Sequence, residues 1–237
     1  MWQFLVEGGP VMFLLVIASV VSMAFIIERG MALRWNKVVP PEVERVVENC
    51  RSPEQVSMVR QVCEQVASPL SRLLLLGIKH LDWPKGENVN AVETRARHEV
   101  LKLERGLVVL EIIVGIAPLL GLVGAIHGLI VLFGDIGEKG VSDNAVVARG
   151  IAIALHTTLV GLLVAIPTLI AWSYFNKKVE TLTVEIENIC DEFLRQQYRL
   201  VDAAAEATAE AAVATRKTPK AQSSPPASAP AATPAKA

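Results

Sequence analysis

The chain has 237 residues, of which 52% are hydrophobic and 20% are charged, and its formal net charge is −1. Soluble domains rarely reach its mean hydropathy of +0.42, so the composition indicates a membrane protein. The net charge neither supports nor excludes nucleic-acid binding, but the basic residues are mixed with acidic ones, which is typical of solvated surfaces rather than of a nucleic-acid patch. Cys50, Cys63 and Cys190 have no C-x-x-C spacing, so neither a disulfide framework nor a zinc site is expected.

Three apolar runs without Asp, Glu, Lys or Arg lie at 8–27, 112–133 and 151–175. Each is long enough to cross about 30 Å of hydrocarbon as a helix, the form that satisfies its own backbone hydrogen bonds there. The first ten residues, "MWQFLVEGGP", which include the start of the first run, have no Lys or Arg, and no clear small-residue cleavage site follows the run. A retained helix is therefore expected rather than a cleaved signal peptide. The sequence predicts an all-α membrane protein with three transmembrane helices.

Basic residues are concentrated on one side of these runs, and the side is the same for all three. They are Arg29, Arg34, Lys37, Arg95, Arg97, Lys102, Arg105, Lys177 and Lys178. The connection 134–150 has only Lys139 and Arg149, against three acidic residues. The positive-inside rule then places the N-terminus outside, and 28–106 and everything after about 175 in the cytoplasm. All three cysteines fall in those inside segments, which fits reduced thiols.

The cytoplasmic parts are predicted to be mostly helical. Breaks are expected at "RSPE", "ASPL" and "DWPKGEN". "VNAVETRARHEVLKLERG" is rich in helix formers and leads directly into the second run, so helix 2 should extend into the cytoplasm. Helix 3 should extend there too, because Leu182, Ile186, Ile189, Phe193 and Leu200 form an apolar stripe. Such a stripe needs a partner, either a neighbouring helix or another subunit.

These observations divide the chain into five segments. We expect an N-terminal segment with transmembrane helix 1 at 1–27, a cytoplasmic helical segment at 28–105, transmembrane helices 2 and 3 at 106–175, a cytoplasmic amphipathic helix at 176–214, and a disordered Pro/Ala-rich tail at 215–237.

Small residues line one side of helix 2. Gly121, Gly124 and Gly128 share a face, and helix 3 has small positions that include Gly161. Small residues let helices approach closely in lipid, so helices 2 and 3 should pack as antiparallel neighbours. Pro118 and Pro167 lie inside these spans, where a kink or a close neighbour is the expected consequence.

Three stretches together carry a family resemblance: "GGPVMFLLVIASVVSMAFIIER", "LERGLVVLEIIVGIAPLLGLVGAIHGLI" and "GIAIALHTTLVGLLVAIPTLIAWSYF". They resemble the MotA/TolQ/ExbB proton-channel family, most closely its ExbB and TolQ branch, over roughly residues 5–200. The order of the elements, three spans with a large inside segment after the first, is similar to that branch. MotA-type stators have four spans and are less similar.

The resemblance implies a pentameric ring in the bacterial inner membrane, with helices 2 and 3 around a lumen. An ExbD- or TolR-like single-span partner would supply a proton-carrying aspartate, and a TonB- or TolA-like periplasm-spanning protein would receive the work. The residues agree, because a chain that moved protons alone would need its own titratable relay at depth. No enzyme motif is present, and no cofactor or metal is implied. A non-conducting scaffold of the same fold is the alternative.

The family pattern also implies which residues line the lumen. Thr158 matches a wall threonine, whereas Ala125 stands where the family often has a threonine and Ile153 where the branch often has a glutamate. Thr157 lies between positions 153 and 158 on a helical wheel, so it is expected to face the lumen if they do. The other interpretation of Thr157 and Thr158 is a hydrogen bond back to the i−4 carbonyl.

His127, His156 and Glu111 are the remaining ionisable groups near or inside the second and third runs. The two histidines are predicted at similar depth on neighbouring helices and point away from the lumen centre. An interhelical or intersubunit hydrogen bond is preferred for them over a proton relay. Glu111 is expected to reach the cytoplasmic interface, with the inner end of the proton path as the alternative.

Overall fold

A computed structural model describes residues 9–139 and 144–216 of the protein, with side chains described for 10–137 and 144–203. The predicted tail therefore lies outside the described residues, apart from its first two positions. The described residues are helical, with no strand among them. In chain order the helices are α1 (Gly9–Ala32), α2 (Trp35–Val38), α3 (Pro41–Glu48), a 3-10 turn (Pro53–Gln55), α4 (Val56–Gln65), α5 (Pro69–Lys79), α6 (Lys85–Glu104), α7 (Leu107–Lys139) and α8 (Asn144–Arg216).

Three of these helices are long and apolar enough to cross a membrane, which confirms the predicted number of spans. The candidate spans are Pro10–Ala32, Leu107–Gly137 and the first part of Asn144–Ala203. Large apolar side chains point outward from all three, including Phe13 (67% exposed), Leu119 (61%) and Leu163 (61%). Such surfaces are stable in lipid or against other apolar helices.

The three spans form one bundle. α1 packs along α7, and a buried cluster joins them to α8. The cluster consists of Met12, Leu15, Ile113, Ala117, Val164 and Ala165. Both α7 and α8 continue through their internal prolines, Pro118 and Pro167.

A second body is built from α3 to α6 against the later part of α8. Leu182, Ile186 and Phe193 are buried in its core, so the apolar stripe of α8 packs on neighbouring helices of its own chain. The predicted breaks are confirmed. Ser52 and Gln55 form a capping box at the first, and the Ser68 hydroxyl accepts a hydrogen bond from the Ser71 amide at the second. The third break separates α5 from α6.

The prediction that helix 2 runs unbroken from the cytoplasmic segment into the membrane is wrong. α6 ends at Glu104 and α7 begins at Leu107. Gly106 between them has φ +99°, the positive-φ region that glycine adopts readily. Arg29 fills the break, and its Nη1 donates to the Leu103 carbonyl oxygen at 3.4 Å. Arg29 and Leu103 lie far apart in the sequence, so the pattern of helix formers around Gly106 does not predict their contact.

The chain divides into two compact units, residues 1–198 and 199–237. The first contains the bundle and the body described above. The described part of the second, residues 199–216, is the last part of α8.

Candidate functional site

The contact between α7 and α8 is closest at two glycines. A Cβ atom on Gly161 would lie 2.7 Å from the Ala117 carbonyl oxygen and 3.1 Å from the Gly121 Cα. A Cβ on Gly121 would lie 3.1 Å from the Thr158 Cα. The two backbones therefore touch, which only small residues permit.

Beyond Gly124, α7 and α8 meet through side chains, and a Cβ on Gly150 would lie 2.7 Å from the Leu132 Cδ1. A Cβ on Gly124 would overlap the Thr157 side chain, whereas one on Gly128 would meet Ala154 at an ordinary 3.7 Å. The structure thus places Gly121, Gly124 and Gly161 in a tight contact within one subunit, and Gly128 in ordinary van der Waals contact with Ala154.

Both threonines of α8 use their hydroxyl groups inside the subunit. Thr157 is 1% exposed, and its Oγ1 donates to the Ile153 carbonyl oxygen at 3.0 Å. Thr158 is half-buried, and its Oγ1 donates across to the Gly121 carbonyl oxygen at 3.3 Å. If a side chain keeps its position, its exposed fraction can only decrease when subunits assemble into a ring. Thr157 therefore lies in the helix contact rather than on a free face of the subunit.

The other predicted site residues lie on accessible surfaces of the single subunit. Ala125 and Ile153 are half-buried, and His127, His156 and Glu111 are exposed. His127 is a lining residue of the cleft described next, and His156 is not. Glu111 lies in the first turns of α7, near the end of the bundle that joins α6. Their roles stay predictions.

An open cleft of about 250 Å³, which we name the α7–α8 cleft, lies beside the contact between α7 and α8. Gly124 and Thr157 lie at its inner end, and Asp135 and Arg149 lie toward the α7–α8 connection. Asp135 and Arg149 belong to no motif of the sequence and enter the sequence pattern only as charges of the α7–α8 connection. Because Asp135 closely follows the second apolar run and Arg149 closely precedes the third, the sequence does indicate that both lie near the same end of the two helices.

A buried carboxylate in the α3–α6 body was also missed. Glu99 is 2% exposed and binds the guanidinium of Arg72 at 2.6 Å and the ammonium of Lys102 at 2.9 Å, with Arg95 at 3.4 Å. Burial alone raises the pKa of Glu99, but the hydrogen bonds and charges of Arg72 and Lys102 outweigh it and hold the pKa below its ordinary value. The contact with Arg72 holds α6 against α5, and we assign these ion pairs a structural role rather than a catalytic one.

The cysteines are buried thiols. Burial raises the pKa of Cys63 to about 11 and that of Cys190 to about 12, so both are protonated and unreactive near neutral pH. Within the described ranges, no group of three or more His, Cys, Asp or Glu side chains is arranged to hold a metal ion.

The fold and the site define a helical membrane protein whose second and third spans meet at glycines, with polar hydroxyls at the contact. A sequence model of the MotA/TolQ/ExbB proton channel family matches residues 65–188, which is more than half of the chain. The chain belongs to this family. Its resemblance to the ExbB and TolQ branch is confirmed, because the relatives below carry those names.

Three relatives illustrate the similarity. An ExbB-like biopolymer transport protein of Synechocystis is 35% identical over 70% of this chain and 66% of its own length. The biopolymer transport protein ExbB of Helicobacter pylori is 40% identical over 35% of this chain and 57% of its own length. The Tol-Pal system protein TolQ of Pseudomonas aeruginosa is 29% identical over 85% of this chain and 94% of its own length. The chain thus spans less than two thirds of the first two relatives.

Proposed function

We propose that this chain is the ring-forming subunit of a proton channel in the bacterial inner membrane. With an ExbD- or TolR-like single-span partner, it would use the proton gradient to drive a TonB- or TolA-like periplasm-spanning protein. The work would serve outer-membrane transport or envelope maintenance. The family match over residues 65–188 carries the proposal, because it includes both the second and the third span. The family consists of transport proteins rather than enzymes.

The need for a partner follows from the composition of the spans. The three apolar runs contain no Asp, Lys or Arg, and Glu is absent from them as well. A buried proton carrier must titrate, and the titratable side chains of the second and third runs include His127 and His156 but no carboxylate. We therefore propose that the proton-carrying carboxylate comes from the partner. One proton that crosses about 100 mV releases about 2.3 kcal/mol, so several protons are needed to move a protein element.

The proposed assembly is a homo-oligomer, pentameric in type. The family supports this proposal. The apolar surface of α1, α7 and α8 supports it too, because more of the residues in these spans are exposed than are buried in the bundle. Lipid and neighbouring copies would cover that surface. The Lys and Arg distribution supports a periplasmic N-terminus and a cytoplasmic C-terminus, with α8 extending into the cytoplasm. A reporter that is active only outside, fused near Gly140, should work, and inactivity there would reverse this orientation.

Thr158 is the main hydroxyl that we propose for the lumen wall, beside Ala125 and Ile153. All three are only partly buried in the single subunit, so they remain available to a partner helix. Thr157 would contribute from behind this wall, because its side chain lies against Gly124. A carboxylate that loses its proton in a low-dielectric lumen needs hydrogen-bond donors or water.

A non-conducting scaffold of the same fold is the second candidate. It is favoured by Ala125 and Ile153, which lack the hydroxyl and the carboxylate of the family pattern. It is also favoured by Thr157 and Thr158, whose hydroxyl protons are donated to the Ile153 and Gly121 carbonyls. Under this hypothesis the ring and the partner would assemble but carry no proton current.

The first experiment is co-expression of this chain with a single-span protein from the same genome that has an aspartate in its membrane helix. The purified assembly is weighed by native mass spectrometry. We expect several copies of this chain, five if the family pattern holds, with the partner bound. A monomer that binds no such partner would contradict both the ring and the channel.

A further inference from the structure

One face of α1 is apolar and exposed as far as the end of the helix. We name it the α1 strip, and its residues are Val20, Met23, Ile27 and Met31, each at least 50% exposed. Positions spaced by three or four residues share one side of a helix. From Val20 to Met31 the strip is about 16 Å long, at about 1.5 Å per residue. Half of a hydrocarbon core of about 30 Å has nearly the same length, so the strip matches one leaflet of a bilayer.

A basic and aromatic turn follows the α1 strip directly. Arg34, Trp35 and Lys37 are exposed, whereas Val38 and Val39 are buried in the core of the α3–α6 body. The buried valines hold this turn in place, so its two cations and its indole are presented next to the end of the strip. Tryptophan is favoured at the interface between membrane and water, and Lys and Arg just beyond a membrane helix attract anionic headgroups.

More cations lie at the same level of the bundle, on α7 and α8. One buried cluster defines this level, and it includes Leu33, Leu107 and Phe175. Arg105 precedes Leu107 by two residues and is exposed. The Lys178 ammonium lies 5.6 Å from the centre of the Tyr174 ring, so this side chain reaches back toward the span. The three spans therefore meet at one basic level, which begins where the α1 strip ends.

The positive charge of this level is not neutralised within the chain. Among the residues that the structure describes, no carboxylate forms an ion pair with Arg34, Lys37 or Arg105. The nearby acids Glu28 and Glu180 pair with other cations of the same level. A neighbouring copy at the same depth in the membrane would bring the same excess of positive charge. Anionic headgroups, in contrast, complement it.

We propose that this surface of α1 and α2 binds an anionic phospholipid of the adjoining leaflet. The phosphate and the rest of the headgroup would lie against Arg34 and Lys37, with Trp35 at the interface, and an acyl chain would lie along the α1 strip. The proposal depends on the membrane spans and the charges beside them, and it does not depend on proton conduction.

The test uses the full chain, purified in a neutral detergent and freed of lipid. Phosphatidylglycerol or phosphatidylcholine with the same acyl chains is added, and bound lipid is counted by native mass spectrometry. Arg34→Gln with Lys37→Gln removes the two cations. Lys79→Gln with Lys85→Gln is the matched control, because it removes the same charge from the α5–α6 connection. Tyr198 contacts that connection, about 30 Å along α8 from the basic level.

We expect the wild-type chain to bind phosphatidylglycerol at least about tenfold more tightly than phosphatidylcholine, because each basic residue near an anionic headgroup strengthens binding about fivefold. The variant without Arg34 and Lys37 should lose this preference, and the control should keep it. Equal affinity of the wild-type chain for the two lipids, or an equal loss in both variants, would overturn the proposal. Displacement of phosphatidylglycerol by millimolar inorganic phosphate would overturn it as well, because the site would then bind free anions.

A second variant separates lost binding from a folding defect. Arg34→Lys with Lys37→Arg exchanges the two cations and keeps the charge, so it should retain the preference for phosphatidylglycerol. If this variant lost the preference too, the charges would not be what binds the headgroup, and the proposal would be wrong.

Discussion

The hydroxyl of Thr158 is the single group on which the proposed proton path depends most. It is the half-buried hydroxyl of the threonine pair and donates to the Gly121 carbonyl at 3.3 Å. Thr158→Val keeps the shape of the side chain, and an interhelical hydrogen bond in a membrane contributes only about 0.6 kcal/mol on average. The ring should therefore still assemble.

Proton flux in the Thr158→Val ring should fall by about tenfold or more, because a hydrogen bond to a charged group contributes about 1.5–3 kcal/mol. Thr157→Val is the matched control: its hydroxyl is buried and already donated to Ile153, so a smaller loss is expected. Changes at His127 or His156 should also matter less. Full flux in the Thr158 variant, together with flux lost in a histidine variant, would move the path to the histidines.

Glu99 should stabilise the α3–α6 body in a way that depends on pH. Its pKa is lowered in the folded state, so the unfolded chain takes up the proton first as pH falls. The contribution is complete above the ordinary carboxyl pKa, about 4.3, and is lost as pH drops through the lower folded value. Glu99→Gln should reduce the free energy of unfolding by roughly 1–3 kcal/mol near neutral pH and flatten the acid dependence.

Thermal unfolding of the purified protein between pH 3 and 7 measures this effect. Glu64→Gln is the control, since Glu64 and its partner Arg60 are both exposed and such pairs contribute little. Equal melting temperatures for the two variants across this range would show that the Glu99 contacts do not stabilise the fold.

Individual side-chain roles were the hardest to predict from the sequence. The helical wheel placed Thr157 beside Thr158, but a wheel does not tell which side of a helix meets its neighbour. In the sequence, nothing distinguishes Glu99 from the other charged residues of α6. Its partner Arg72 lies on α5, so the ion pair becomes visible only when the helices pack.

At the scale of helices, the α7–α8 contact is predicted to tolerate no added methyl group at its closest point. Gly161→Ala would bring a Cβ to 2.7 Å from a backbone oxygen that cannot rotate away. Overpacking of this kind costs about 1–3 kcal/mol. Gly115→Ala is the control, because nothing lies within 4 Å of its added Cβ and alanine favours a helix by about 0.5–1 kcal/mol.

The two variants should therefore change stability in opposite directions, which unfolding of the purified protein in detergent would reveal. If Gly161→Ala were as stable as Gly115→Ala, the two helices would not be in backbone contact there.

Helices were more predictable than individual side chains, and the reasons are physical. Spans follow from long apolar runs, and the breaks of the α3–α6 body follow from proline and serine near their ends. The break at Gly106 was missed because a glycine beside a helix-forming run permits a break without requiring one. Arg29, far away in the sequence, occupies the break and caps α6.

At the scale of the whole molecule, the proposal that this chain is one subunit of an assembly rests on its family, on the large outward apolar surface of its spans and on the absence of carboxylates from its apolar runs. Membrane class and family could be predicted from the sequence, because hydropathy and three extended motifs carry them. The proposed ring, partner and lumen would involve contacts between chains, which the pattern of a single sequence does not specify.

The measurement that tests the central claim most directly is proton flux into liposomes under an imposed gradient. Three preparations are compared: this chain alone, this chain with its single-span partner, and the same complex with the partner's membrane aspartate changed to asparagine. We predict flux only in the intact complex, because the apolar runs of this chain contain no carboxylate that could carry the proton. An intact complex that is impermeable to protons, or a chain that conducts equally well alone, would contradict the account.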